Sequence, residues 1–194
     1  MSFSIGNFFF KHRDKLPVPL VILMLKCSKP TKIGWLIGLP LVFAGEMLRL
    51  WGLRHIGPST RTREVSAEKL VTSGPYAHCR NPLYLANLLK VTGLTIIAGN
   101  IYFSILTLVF YLVEFIFMID FEENFLANKF PEQHKAYTKL VPIFFPTIKP
   151  CKQLDAKPSF SFIEALKSEK RTMTSTSLIL LLLAACKLRT RQVA

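Results

Sequence analysis

An all-α multi-pass membrane protein with four to five transmembrane helices is the fold class this sequence predicts. Three observations carry that expectation. The 194 residues are 51% hydrophobic and include 16 Phe. Their mean hydropathy of +0.34 lies above the zero or negative values usual for soluble domains of this size. Finally, two apolar runs, 83–98 and 101–119, are separated only by Gly99-Asn100. That dipeptide is a turn signal, so the pair reads as a tight antiparallel helical hairpin.

The other elements follow in chain order. Phe8-Phe9-Phe10 is apolar, but the charges follow it rather than precede it, which does not read as a cleavable signal peptide. Residues 17–28 hold a short apolar run that gains spanning length only if a helix starts near Arg13 and its basic residues snorkel. Residues 33–53 form a clearer span. It is interrupted by Pro40, carries Glu46 and Arg49, and contains Gly34 and Gly38 at the small-xxx-small spacing that lets two helices approach closely. Residues 54–82 are polar and basic, and 120–150 are amphipathic and Pro-punctuated at the end. The tail is polar up to Ser177, and Leu178–Ala185 is too short to span alone. A longer helix from about Phe160 would cross as a fifth span or lie in the interface.

The net charge of +13 comes with no RNP-like, helix-turn-helix or zinc-finger pattern, so nucleic acid is not an expected partner. The basic residues read instead as flanks that fix topology and meet membrane lipids. The Gly99-Asn100 tip lacks Lys and Arg, whereas 54–82 carries five and Lys11–Lys15 three. That bias places the N-terminus, the 54–82 loop and 120–150 on the cytoplasmic face, although Lys26, Lys29 and Lys32 run against it. Cys27, Cys79, Cys151 and Cys186 are scattered without a CxxC pair, the pattern of free thiols rather than of a metal site or disulfides.

Chemistry concentrates in Gly74-Pro-Tyr-Ala-His-Cys-Arg-Asn-Pro-Leu-Tyr84, a polar, turn-rich knot just before the hairpin, and in Asp120, Glu122 and Glu123 at its far end. A turn at 99–100 pairs positions that sum to about 199. Arg80 then stands level with Asp120 and within a turn of Glu122, and Tyr84 stands level with Phe115. The same levels bring Lys90 towards Glu114 as a buried pair. Glu46 and Arg49, three residues apart, neutralise each other, or Glu46 lines a cavity. A surface ion-pair cluster at the hairpin base is the bland reading of the two polar groups.

Gly74-Pro-Tyr-x-x-x-Arg80-Asn81-Pro82-x-Tyr84, Glu122-Glu123-x-x-Leu126, Phe130-Pro131, Tyr137 and Val141-Pro142 through Pro146 together resemble the isoprenylcysteine carboxyl methyltransferase family over roughly residues 66–147. Related membrane phospholipid N-methyltransferases share much of the pattern. The resemblance implies a multi-pass enzyme using S-adenosylmethionine to methylate the carboxylate of a lipidated, isoprenylcysteine-like substrate at the membrane interface. It divides the chain into N-terminal helices (1–60), a methyltransferase region (61–150) and a tail (151–194). Its cofactor pocket, formed by the cytoplasmic loop and the C-terminal half, falls on Glu68, Lys69, Leu70, Val71, Tyr76, His78, Asn81, Pro82, Leu83, Tyr84 and Glu122, with Arg61 at its edge. Catalytic roles fall on Arg80 and Glu122.

Departures sharpen the expectation. The family's usual His is Asn81, which hydrogen-bonds but does not titrate. Its Gly is Ala86, and the Arg assigned to the substrate carboxylate in eukaryotic members is Met118. No GxGxxG occurs among the nine glycines, so a nucleotide pocket must come from a loop and a helix end. There, Glu122 suits an ammonium, Arg80 and backbone N–H groups a carboxylate, and Tyr76 and Tyr84 an adenine or sulfonium. The competing readings are an amine methyltransferase with His78 as the local base, a sterol-type reductase resting on Pro82-x-Tyr84, and a non-enzymatic scaffold or transporter.

Overall fold

A computed structural model of the protein describes residues 2–57, 67–151 and 157–192; Arg61 lies outside them. These residues form seven α-helices and no strand. Helix α1 (Ser2–His12) was not foreseen from the sequence, being only three turns long. It lies across the end of the hairpin, with Phe9 stacked on Phe117 and Phe10 against Phe121. Helix α2 (Pro17–Lys26) does not extend back to Arg13. Pro17 and Pro19 lack an N–H and are tolerated only in a first turn, which leaves α2 about 15 Å long.

Helix α3 (Lys32–Ile56) starts on a Thr31 cap whose Oγ1 accepts from Gly34 N at 2.9 Å, and carries Pro40 within it. Helix α4 (Pro82–Ala98) ends at Gly99, which takes the left-handed φ of 72°. Asn100 Oδ1 then accepts from Phe103 N at 3.1 Å and caps α5 (Ile101–Lys129). The hairpin turn is thus a left-handed glycine followed by a side-chain cap. Its register is the expected one, since the Tyr84 and Phe115 rings meet at 5.1 Å. Helix α5 runs ten residues beyond 119, so the acidic cluster is helical. Helix α6 (Pro131–Leu140) follows directly. Helix α7 (Phe162–Gln192) opens with a capping box, Ser161 N donating to Glu164 Oε2 at 2.8 Å and Glu164 N to Ser161 Oγ at 3.2 Å.

Three helices, α3, α5 and α7, are long and apolar enough to cross a membrane, while α2 and α4 are shorter apolar helices. Ala165 packs with Leu50 and Leu53, and Leu183 with Val42, Leu94 and Ile97. Helix α7 therefore runs antiparallel along α3. Outward faces of α3 and α5, such as Leu36, Phe43, Tyr102 and Ile116, are apolar and exposed.

The most extensive packing joins α3 to α4. A Cβ on Gly34 would stand 2.8 Å from Ile96 O, one on Gly45 2.6 Å from Ala86 O, and one on Gly38 would strike Gly93 O. Glycine removes the side chain from the crossing and lets the backbones touch.

That approach corrects two expected ion pairs. Lys90 does not pair with Glu114; its Nζ donates to both Glu46 oxygens, at 3.0 and 2.9 Å. Gly45 seats α3 directly on Lys90, so the next residue meets the ammonium. Arg49 is not engaged by Glu46 either. It donates to Glu169 Oε1 at 2.8 Å and Asn87 Oδ1 at 2.7 Å, tying α3 to α7 and α4.

Replacing Gly38 by Leu should cost at least about 2 kcal/mol by overpacking, read from unfolding in detergent. Ile37→Leu on the exposed face should change little. Lys90→Ala should destabilise by about 3–5 kcal/mol, and Glu46→Leu/Lys90→Leu by less, because the double variant strands no charge.

Candidate functional site

The knot is held by the chain that returns after α6. Arg80 N donates to Pro142 O at 2.9 Å, Thr147 N to His78 O at 3.0 Å and Cys151 N to Ala77 O at 3.1 Å. Tyr137 Oη donates to Tyr76 O at 2.7 Å. Because 74–77 is a single 3-10 turn, Tyr76 and Cys79 are buried while α4 starts immediately at Pro82. Proline at that position pre-sets the first turn.

One cavity of about 1230 Å³ begins at this knot. Its wall includes Glu68, Lys69, Leu70, Val71, Tyr76, Arg80, Asn81, Pro82, Leu83, Tyr84 and Glu122. The structure thus gathers every proposed site residue among those described, except one. His78 is not on the wall: its Nδ1 engages Thr147 O at 2.7 Å and its ring packs edge-on to Trp51. The returning segment that clamps the knot turns His78 outward. Glu46 is not on the wall either, being held by Lys90.

The two neighbouring glutamates divide the polar contacts. Arg80 Nη1 donates to Glu123 Oε2, not to Glu122. Asn81 Nδ2 donates to Ile143 O at 3.1 Å and reaches Glu123 Oε1 at 3.4 Å. His134 Nε2 stands 3.2 Å from Glu123 Oε2, although out of line for a hydrogen bond. Glu123 is therefore the tie between the knot, α5 and α6. Adjacent helix residues point about 100° apart, so Glu122 faces the cavity, where it interacts with the Tyr84 hydroxyl and the Arg13 charge. Hairpin levels placed both glutamates near Arg80 but could not choose between them.

Tyr76 Oη and Arg80 Nε are buried, lack hydrogen-bond partners and belong to wall residues. Burial first, and then the Glu122 carboxylate, hold the Tyr76 hydroxyl well above the usual phenol range. Burial likewise raises Tyr137, with smaller contributions from Cys79 and Glu123. Both phenols stay protonated donors. The Tyr76 and Arg80 donors fit a ligand carboxylate, the Glu122 acceptor fits an ammonium, and the tyrosine rings fit an aromatic base. Among the described residues, no three His, Cys, Asp or Glu side chains gather in a way that could hold a metal ion.

Sequence reasoning missed the inner walls. Met24 and Leu20 come from α2, Glu114, Thr107 and Phe103 from α5, and Ser168 and Ile179 from α7. For α5 the signal was present: positions 107, 111, 114, 118 and 122 recur at helical spacing on one face.

Residues 33–133 match the phospholipid methyltransferase family. The cobalt-zinc-cadmium resistance protein CzcN of Cupriavidus metallidurans is 34% identical over 154 residues, which cover 76% of this chain and 70% of that protein. The nickel-cobalt-cadmium resistance protein NccN of Alcaligenes xylosoxydans xylosoxydans is 31% identical over 100 residues, 52% of this chain and 44% of that protein. No solved structure matches significantly. The matched family is the relative of the isoprenylcysteine carboxyl methyltransferases rather than that family itself.

Burial raises the Cys79 thiol to about 11, against a smaller lowering by the Asn81 backbone. At pH 8 only about 0.1% of such a thiol is thiolate. Alkylation of Cys79 should run at least tenfold slower than that of the exposed Cys27, accelerate as pH rises towards 11, and equalise on denaturation.

Proposed function

The chain belongs to the phospholipid methyltransferase family, and we propose that it transfers a methyl group from S-adenosylmethionine to the head group of a membrane-borne amphiphile. One observation carries this reading: Arg80 to Tyr84 and Glu122 front the same cavity as Leu94, Phe103 and Ile179, which belong to the membrane-level helices. A water-soluble acceptor needs no such continuation; an amphiphile does, because its head group must reach the polar end while its chain stays among apolar side chains.

S-adenosylmethionine, when bound, supplies a methyl group on a sulfonium cation together with ammonium, carboxylate and adenine groups. On this reading Glu122 takes the ammonium, Arg80 Nε and nearby backbone N–H groups take the carboxylate, and Tyr76 and Tyr84 face the adenine or the sulfonium. Tyr84 orients Glu122 through its hydroxyl. The Glu123 tie holds Arg80 in place. The role of the chain is to position its partners and exclude water; Asn81 is not a proton acceptor at neutral pH, and His78 faces away.

Two acceptors come into question. The composite motif favours the carboxylate of a lipidated, isoprenylcysteine-like molecule, whereas the matched family favours a phospholipid amine. Membranes containing the protein, given methyl-labelled S-adenosylmethionine with a farnesylated cysteine analogue or phosphatidylethanolamine, separate them: base-labile label marks the ester and base-stable label the amine. Glu122→Ala and Arg80→Ala should each bring turnover to background while the protein still inserts and purifies. Wild-type turnover in either variant, or no binding of S-adenosylhomocysteine by the wild type in calorimetry, would overturn the reading.

A further inference from the structure

Eight buried side-chain polar atoms among the described residues lack a hydrogen-bond partner, and six of them belong to residues on the wall of this one cavity. Such atoms are rare in folded proteins, and their gathering marks where a ligand supplies the missing partners. They fall in two groups. Tyr76, Arg80 and His134 lie at the knot. Thr107, Glu114 and Ser168 lie farther in.

The inner group is coherent. Glu114 is 2% exposed, on the same face of α5 as Glu122 and about 12 Å along the helix from it. Thr107, 5% exposed, is two turns farther on the same stripe. Ser168 adjoins Glu169, which bonds the same Arg49 that bonds Asn87. The hairpin register sets Asn87 opposite about position 112, so Ser168 stands within roughly a turn of Glu114 in height. The nearby cations are committed elsewhere, Lys90 to Glu46 and Arg49 to Glu169 and Asn87. Glu114 itself forms no ion pair among the described residues.

We infer that Glu114, Thr107 and Ser168 form a second polar subsite, which takes a proton-donating group, an ammonium or a hydroxyl carried on an apolar chain, and rejects a carboxylate. The inference rests on the proposed reading of the cavity and adds to it a second polar contact for the membrane-borne ligand, deeper than the head-group end. A buried carboxylate without a partner is costly, and a donor from the ligand removes that cost. A ligand carboxylate brings a second like charge into the same apolar space. Thr107 and Ser168 hydroxyls both accept and donate, and so extend the polar lining beside Glu114 for a ligand ammonium or hydroxyl. Met118, one turn from Glu114 towards Glu122, offers nothing to an anion. Glu114 is thus a positioning and specificity residue.

The test uses the full chain in lipid nanodiscs, titrated calorimetrically with dodecylamine, dodecanol and dodecanoate, with empty nanodiscs subtracted. Wild type should bind dodecylamine at least tenfold tighter than dodecanoate, with dodecanol also ahead of the acid. Glu114→Gln should lose that preference while keeping wild-type affinity for S-adenosylhomocysteine. Glu122→Ala should do the reverse. Equal binding of amine and acid by wild type, or a preference that survives Glu114→Gln, overturns the subsite. Loss of S-adenosylhomocysteine binding in the wild type with the preference intact overturns the proposed function instead. Should Glu114→Gln fail to purify, Thr107→Val with Ser168→Ala is the second variant, expected to weaken dodecylamine at least fivefold; unchanged binding again overturns the subsite.

Discussion

Backbone contact between α3 and α4 sets the positions of everything that surrounds the cavity. Lipid tails are as apolar as leucine, so membrane helices gain little from burying apolar side chains and depend on close van der Waals fit. Gly34, Gly38 and Gly45 remove the side chains that would hold α3 away, and Gly93 does the same from α4. The approach then dictates the charges. Glu46 reaches Lys90 because Gly45 has no side chain to intervene, and Arg49, one turn on, reaches Asn87 on α4 and Glu169 on α7. The second of these contacts fastens α7 as the cavity's third wall. A looser crossing would break both polar ties and open the cavity between α4 and α7.

A different constraint governs the knot. Its backbone is irregular, so the hydrogen bonds that a helix would satisfy internally must be found elsewhere. Residues 142–151 supply them at Ala77, His78 and Arg80. Tyr137 adds a side-chain bond at Tyr76. Fixing the main chain in this way decides which side chains face the cavity: Tyr76, Arg80 and Asn81 face in and His78 faces out. The division between Glu122 and Glu123 completes the arrangement. A carboxylate tied to Arg80, Asn81 and close to His134 is structural, and its neighbour is available to a ligand for the same reason.

The hairpin, its Gly99-Asn100 turn and the Tyr84–Phe115 level were legible in the sequence because each rests on local rules: apolar run length, a left-handed glycine, a capping Asn and a fixed rise per residue. The Gly34/Gly38 spacing was legible as a contact surface, though not its partner. What failed was any step in which a third helix competed. Lys90 and Glu114 face each other plausibly within an isolated hairpin, and only α3 explains why Lys90 turns to Glu46. Helix α1 was too short to register as periodic, and its role comes from packing against Phe117 and Phe121. Of the expected site residues, those on the loop and α4 were found together because they are contiguous in the chain. The α7 wall was not, because nothing local in a polar run from 162 to 177 says which helix it will meet.

Charge balance along the cavity separates the carboxylates that hold the walls from those open to a ligand. Within the helices, Glu46, Glu123 and Glu169 are each matched by a cation of the chain. The Glu46 and Glu169 pairings each join two helices and the Glu123 pairing joins α5 to the knot, so these charges hold the walls in register. Glu122 and Glu114 are the carboxylates of α5 that face the cavity without a salt bridge among the described residues. They stand on one face, about two turns or roughly 12 Å apart along the helix. A wall that presents two such carboxylates at different depths is suited to two positively charged or proton-donating groups, one near the loop and one among the helices. A single soluble ligand would need only the first. The second has a purpose when another molecule, entering from the membrane, must be held in line with what the knot binds.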